Sequence, residues 1–105
     1  MFWVFCLGGG VTLVIYDVSD DRLRCAVASL LRRFGLSRIQ RSAFAGVLSG
    51  AGRVELEAAL RRLLRGRSGY NVQIFLITPG AFEGRVVLSE GYSLGGGGEE
   101  GDVFI

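Results

Sequence analysis

The chain has 105 residues, half of them apolar, and a formal net charge of +2. This length suits one domain with a single core, and no apolar run approaches the roughly 20 residues of a membrane-spanning helix. The sequence contains no histidine and no lysine, which excludes Ser-His-Asp and Cys-His catalysis, histidine-based zinc sites and Schiff-base chemistry. Carboxylates remain as catalytic groups, and they suit a hard, oxygen-binding cation such as Mg²⁺.

Five segments have the periodicity of regular structure. They are a strand over 11–17, a helix over about 20–34, a strand or two strand pieces over 36–47, a helix over 53–65 and a strand over 70–78. Apolar residues such as Leu23, Val27 and Leu30 recur at helical spacing in the first helix, whereas the strands are rich in β-branched and aromatic residues. The order β-α-β-β-α-β predicts a ferredoxin-like α+β fold, in which two helices cover one face of an antiparallel sheet.

The first and last predicted strands are apolar on both alternating faces. In the first strand, Leu13 and Ile15 alternate with Val14 and Tyr16. Two helices cover only one face of a sheet, and an exposed apolar face of this size is typical of an interface. The sequence therefore predicts a homodimer, in which a second copy covers the other face with two-fold symmetry.

The two ends of the chain differ in composition from the predicted domain over 11–90. Residues 1–10 form an N-terminal extension, or else the start is mis-assigned and translation begins at Val11. Residues 91–105 predict a glycine-rich tether followed by an extra C-terminal strand. Cys6 and Cys25 have no disulfide or C-x-x-C pattern, and residues 1–10 lack the features of a signal peptide, so we expect a cytoplasmic protein without membrane association.

Positive charge is concentrated in the middle of the chain. Eleven of the twelve arginines lie within residues 22–67, where Glu55 and Glu57 are the only acidic residues. A solvated helix face explains any single arginine, but their sum predicts a surface that neutralises phosphates.

Several residues stand in an order that points to a known family. They are residues 14–21 (VIYDVSDD), Arg24, Leu30-Leu31, Gly35-Leu36 and residues 38–44 (RIQRSAF). With them the chain resembles the CRISPR-associated protein 2 family from about Val11 to Ile105. The resemblance implies a homodimer that binds nucleic acid and bridges an integrase partner during spacer acquisition. It also implies a metal-dependent endonuclease or endoribonuclease, acting on double-stranded DNA or single-stranded RNA.

The resemblance also assigns a catalytic and metal-binding residue. Asp17 matches the acidic residue that faces its two-fold copy across the family dimer and binds Mg²⁺, with Mn²⁺ as the alternative. Two carboxylates brought together by symmetry repel each other unless a cation or a proton neutralises them. On spacing alone, an aspartate between a strand and a helix favours a capping role instead.

Further residues are expected around Asp17. Arg24 and Arg38 match family positions for nucleic-acid contact, and Arg41 belongs to the predicted phosphate-binding surface. Tyr16, Ser19 and Phe44 are expected next to the site. Each of these three residues also has a purely structural alternative to a role at the site. These alternatives are packing for Tyr16, helix capping for Ser19 and a core position for Phe44.

Three other functions remain open from the sequence. A toxin-like ribonuclease on the same fold would prefer RNA and need no integrase partner. A non-catalytic scaffold would bridge without cleaving. A domain that senses small molecules is the third, because ferredoxin-like folds host many functions.

Overall fold

The computed structural model describes residues 10–94. Its elements are β1 (Val11–Val18), α1 (Asp21–Arg33), β2 (Ser37–Gln40), β3 (Ala43–Val47), α2 (Gly50–Leu64), β4 (Tyr70–Ile77) and α3 (Pro79–Glu83). The four strands form one antiparallel sheet in the order β2-β3-β1-β4. This arrangement confirms the ferredoxin-like α+β fold predicted from the order of the elements.

The core lies between the sheet and the two long helices. Val14, Tyr16 and Val18 alternate along β1 and pack against apolar residues of α1 and α2. The buried helix residues are Leu23, Val27, Ala28, Leu30, Leu31, Leu56, Leu60 and Leu64. Their helical spacing turns one side of each helix towards the sheet, which fixes the two helices on the same sheet face.

Local signals explain where α1 begins and ends. The Asp20 side chain accepts a hydrogen bond from the Leu23 backbone nitrogen at 2.8 Å and caps the first turn. After the helix, Gly35 adopts φ 90°, a left-handed conformation that favours glycine. The predicted helix over about 20–34 thus corresponds to α1 together with its two capping residues.

Two details differ from the sequence-based expectation. The second helix begins at Gly50 rather than Arg53, because the Ser49 side chain accepts from the Gly52 nitrogen and caps an earlier turn. Pro79 ends β4 as expected but also opens the short helix α3, which Thr78 caps through the Ala81 nitrogen. The expected break near Ser42 is present as a turn between β2 and β3.

The ends of the chain are only partly described. Residues 85–94 are described and contain no helix or strand. Most of the N-terminal extension and the C-terminal strand expected near the end of the chain lie outside the described residues. Within residues 10–94, no helix is both long and apolar enough to cross a membrane.

The second sheet face carries no helix, and part of its apolar surface is open. Leu13 pairs with Phe75 and Ile15 with Gln73 across β1 and β4, so these side chains share one face. Ile15 is 36% exposed and Phe75 40% exposed. We call the surface formed by Leu13, Ile15, Phe75 and their polar neighbours Asp17, Asn71 and Gln73 the open sheet face.

Candidate nucleic-acid and metal site

Asp17 lies on the open sheet face, near the carboxyl end of β1. Its side chain is exposed, whereas its neighbours Tyr16 and Val18 are buried on the helix side. Helix α1 is capped by Asp20 rather than by Asp17. The carboxylate of Asp17 is therefore available at the surface, on the open sheet face.

Two amide side chains accompany Asp17 on this face, and sequence reasoning did not identify them. Asn71 is the direct register partner of Asp17 on β4, and opposite residues in an antiparallel pair have Cβ atoms about 4.5–5.5 Å apart. The Gln73 Nε2 atom donates to the Asn71 Oδ1 atom at 3.0 Å. The signal was present in the chain, because Asn71 and Gln73 alternate as the polar residues of an otherwise apolar strand.

Backbone and side-chain contacts hold the end of β1 in place. The Ser19 nitrogen donates to the Gly69 carbonyl at 2.9 Å, which joins the end of β1 to the start of β4. Arg24 donates from Nη1 to the Val18 carbonyl at 2.9 Å and also contacts the Asp21 carboxylate. Arg24 thus contacts the end of the strand that carries Asp17, and Ser19 links this end to β4.

Tyr16 and Phe44 lie on the other side of the sheet from Asp17. Phe44 is fully buried, Tyr16 is 5% exposed, and both belong to the core between sheet and helices. Their rings are 6.2 Å apart between centroids. Tyr16 also donates through its hydroxyl to the Arg41 carbonyl at 3.2 Å, which holds the β2-β3 turn against β1. Their contacts are those of packing residues.

Arg38 and Arg41 are near each other in sequence but differ in exposure. Arg38 pairs with Phe44 in the sheet register and therefore lies on the helix side, with 5% of its surface exposed. Arg41 lies in the exposed turn after β2. The structure thus brings Arg24 and Arg41 to the same end of the sheet as Asp17 and places Arg38 apart from them.

Both arginines contact a segment that sequence reasoning did not connect with them. The Arg41 guanidinium is 4.6 Å from the Tyr92 ring centroid, and its Nε atom donates to the Ser93 carbonyl at 3.0 Å. Arg38 donates from Nη1 to the Leu94 carbonyl at 3.2 Å. More than fifty residues separate the partners, so no local sequence pattern predicts these contacts.

Several of the remaining arginines lie on α1 and α2 and form a cationic surface there. On α2, Arg61 and Arg62 are exposed, and Arg61 pairs with Glu57 at 2.8 Å. Arg33 of α1 and Arg62 of α2 line a groove between the helices together with Ser29. This surface lies on the opposite side of the sheet from Asp17.

The donor set of one chain fits a partly hydrated Mg²⁺ ion. Within residues 10–94 there is no cluster of three or more acidic or cysteine side chains that would enclose a metal. Mg²⁺ usually keeps several waters and binds through one or two carboxylates together with substrate phosphates. The exposed Asp17 would supply one such carboxylate per chain, and Asn71 lies opposite it on β4.

A family model and several curated proteins match this chain. Residues 11–84 match the family model described as CRISPR associated protein Cas2. A protein named CRISPR-associated endoribonuclease Cas2 2 from Chloroflexus aurantiacus is 40% identical over 80 residues, which cover 76% of this chain and 93% of that protein. A CRISPR-associated endoribonuclease Cas2 from Korarchaeum cryptofilum is 48% identical over 56 residues, which cover 52% of this chain and 60% of the relative's length.

A fusion protein and two solved structures extend the similarity. A protein from Thermoproteus tenax named CRISPR-associated endonuclease Cas1/endonuclease Cas2 fusion is 42% identical over 65 residues, covering 62% of this chain and 24% of the fusion. The structure titled "Crystal structure of cas2" has a TM-score of 0.64 and 30% identity over 80% of this chain and 92% of that one. The structure of a hypothetical protein from Thermus thermophilus has a TM-score of 0.63 and 30% sequence identity. The match covers 79% of this chain and 93% of that one.

Proposed function

Because the chain belongs to the CRISPR-associated Cas2 family, we propose that it is a cytoplasmic, nucleic-acid-binding homodimer that bridges an integrase partner during spacer acquisition. We include in this proposal a Mg²⁺-dependent phosphodiesterase activity at Asp17. The observation that carries it is the exposed Asp17 carboxylate on the open sheet face. The relative in which Cas1 and Cas2 are one chain supports the integrase partner.

The open sheet face supports the homodimer. Ile15 and Phe75 are large apolar residues that remain more than a third exposed in the single chain, and Asp17 lies in line with them along β1. A two-fold interface presents the same patch from both copies. Packing of this face against a second copy buries the apolar side chains and brings the two Asp17 residues to one interface.

In this proposal, Asp17 binds the metal ion and nearby arginines bind phosphate. A divalent cation bound at Asp17 would neutralise charge on a phosphodiester and activate water for hydrolysis. The chain itself contributes the oxygen ligand Asp17 and an amide neighbour, Asn71. Arg24 and the exposed Arg41 stand at the same end of the sheet, where their guanidinium groups suit phosphate oxygens. The helix arginines add affinity that is independent of base sequence.

RNA is the first substrate to test. The relatives from Chloroflexus aurantiacus and Korarchaeum cryptofilum are both named endoribonucleases, which favours single-stranded RNA over duplex DNA for cleavage. The bridging role instead requires binding of double-stranded DNA. The two activities therefore call for separate binding and cleavage measurements on each nucleic acid.

The deciding experiment is cleavage of labelled single-stranded RNA and double-stranded DNA by the purified protein with Mg²⁺, with Mn²⁺ and with EDTA. Asp17→Ala removes the carboxylate, and Glu83→Gln, which removes one acidic charge at exposed α3, is the matched control. Metal-dependent cleavage lost only in Asp17→Ala supports the nuclease at Asp17. Cleavage that survives Asp17→Ala contradicts a nuclease at Asp17. If the unaltered protein cleaves neither substrate, the bridging role remains and the hydrolytic part of the proposal fails.

A further inference from the structure

Residues Tyr92, Ser93 and Leu94, which we call the C-terminal strap, are fastened to the fold by the two neighbouring arginines Arg38 and Arg41. The Tyr92 hydroxyl accepts a hydrogen bond from the Arg41 backbone nitrogen at 3.0 Å. The Arg41 side chain lies over the Tyr92 ring and donates to the Ser93 carbonyl at 3.0 Å. The strap thus contacts Arg41 through a side-chain hydroxyl, an aromatic ring face and a backbone carbonyl.

Arg38 is covered more completely than Arg41. Its guanidinium carbon is 5.1 Å from the Phe44 ring centroid, and Nη1 donates to the Leu94 carbonyl at 3.2 Å. Only 5% of the residue is exposed. A phosphate needs the same guanidinium hydrogens that this carbonyl accepts, so the strap and a phosphate compete for one group.

The strap is attached without a strand ladder. Residues 92–94 have no regular secondary structure, Gly91 precedes them with φ 67°, and residues 95–98 are glycines in the sequence. Tyr92 remains 42% exposed while it contacts Arg41. Detaching such a segment breaks a few side-chain contacts and leaves the four-stranded sheet and its core intact.

From these contacts we propose that the C-terminal strap is an internal competitor of nucleic acid, which sequesters Arg38 and engages Arg41 until it is displaced. The proposal rests on the nucleic-acid binding put forward above and adds its regulation. In the strapped state the helix arginines carry the affinity. When the strap leaves, Arg38 and the full Arg41 guanidinium become available to phosphate.

Competition of this kind is reciprocal. If displacement of the strap strengthens phosphate binding at Arg38, phosphate binding weakens the hold of the strap by the same factor. The chain then binds a nucleic acid in two steps, through the helix surface first and through Arg38 afterwards. A ligand that reaches only the helices leaves the strap in place.

The test is a double-mutant cycle on the full chain with Tyr92→Ala, Arg38→Gln and their combination. Binding of a labelled duplex and of a labelled single-stranded RNA is measured by fluorescence anisotropy across a salt series. Tyr70→Ala is the matched control, because Tyr70 and Tyr92 have the same exposed fraction of 42%. We expect Tyr92→Ala to tighten binding about tenfold and to steepen the duplex salt slope by about 0.9 for each arginine released. Arg38→Gln changes little alone and cancels the gain in the combined variant.

A second readout does not depend on nucleic acid. Phenylglyoxal modifies accessible guanidinium groups, and peptide mapping by mass spectrometry reports each arginine separately. Arg38 should be protected in the full chain and in Tyr70→Ala, and reactive in Tyr92→Ala. Because Arg38 packs against the core residue Phe44, Arg41→Gln serves as a second, surface variant that should also reduce the gain.

Each outcome separates the regulation from the proposed function. Equal affinity of the full chain and Tyr92→Ala, or equal reactivity of Arg38 in both, overturns the strap while the binding function stands. The strap proposal is also overturned if Arg38→Gln lowers the affinity as much in the otherwise unaltered chain as in the Tyr92→Ala variant. If no variant binds either nucleic acid, the proposed function fails, and the competition fails with it.

Discussion

Asp17 on β1 and Asn71 on β4 stand directly opposite each other on the open sheet face. The pair combines a carboxylate with an amide whose oxygen already accepts from Gln73. A metal ion at Asp17 therefore has a polar neighbour on the next strand. This relationship makes position 71 the most informative place to alter the proposed site without touching Asp17.

Asn71→Asp should strengthen binding of Mg²⁺ and Mn²⁺. The change places a second carboxylate beside Asp17, and two adjacent carboxylates repel unless a cation neutralises them. Isothermal titration calorimetry of both metals measures the effect. Gln73→Glu adds the same charge on the same face, opposite Ile15 rather than Asp17, and should have a smaller effect. An unchanged affinity in Asn71→Asp, or an equal gain in both variants, contradicts a metal site at Asp17.

Ile15→Asp should convert the proposed homodimer into a monomer. Ile15 lies on the open sheet face, and a charge buried in a two-fold interface appears twice and costs desolvation on both copies. Size-exclusion chromatography with light scattering gives the mass. Leu76→Asp is the control, because Leu76 is 54% exposed and pairs with Thr12 on the opposite sheet face. A dimer that persists in Ile15→Asp places the interface elsewhere.

Arg62→Gln should weaken duplex binding and reduce its dependence on salt. If Arg62 contacts one phosphate, its loss lowers the slope of log affinity against log salt by about 0.9. Arg85→Gln removes the same charge outside residues 22–67, at an arginine that lies over Phe82, and should leave the slope unchanged. Equal slopes for Arg62→Gln and the unaltered protein would remove α2 from the binding surface.

Phe44→Ala should destabilise the fold by about 3–5 kcal/mol, the usual cost of removing a large buried aromatic side chain. Phe44 is fully buried between sheet and helices. Urea unfolding followed by circular dichroism measures the change. Val47→Ala on the same strand, where Val47 is 67% exposed, should change stability by less than about 0.5 kcal/mol. A Phe44→Ala protein of normal stability but altered cleavage would favour a site role over a core role for Phe44.

Much of the fold was predictable because its signals are local. Leu23, Val27 and Leu30 recur at helical spacing, and all three are buried in α1. The second helix was predicted to start too late because Gly50 and Gly52 have poor helix propensity. The hydrogen bond from the Gly52 nitrogen to the Ser49 side chain caps the helix and compensates for that low propensity.

The candidate site was less predictable because it depends on register and on distant contacts. Alternation placed Asp17 and Tyr16 on opposite faces, but the partner of Asp17 is set by the pairing of β1 with β4, and a slip of one residue would have exchanged the faces. Arg38 donates a hydrogen bond to the carbonyl of Leu94, which is 56 residues away along the chain. Such a contact leaves no trace in the periodicity of either segment.

The end of β1 is held by two hydrogen bonds that leave the Asp17 side chain exposed. Ser19 bonds to Gly69, and Arg24 bonds to the Val18 carbonyl. The backbone under Asp17 is thus braced before any second molecule arrives. In the proposed function, a metal ion, a substrate or a second copy would bind to a carboxylate whose backbone position is already set.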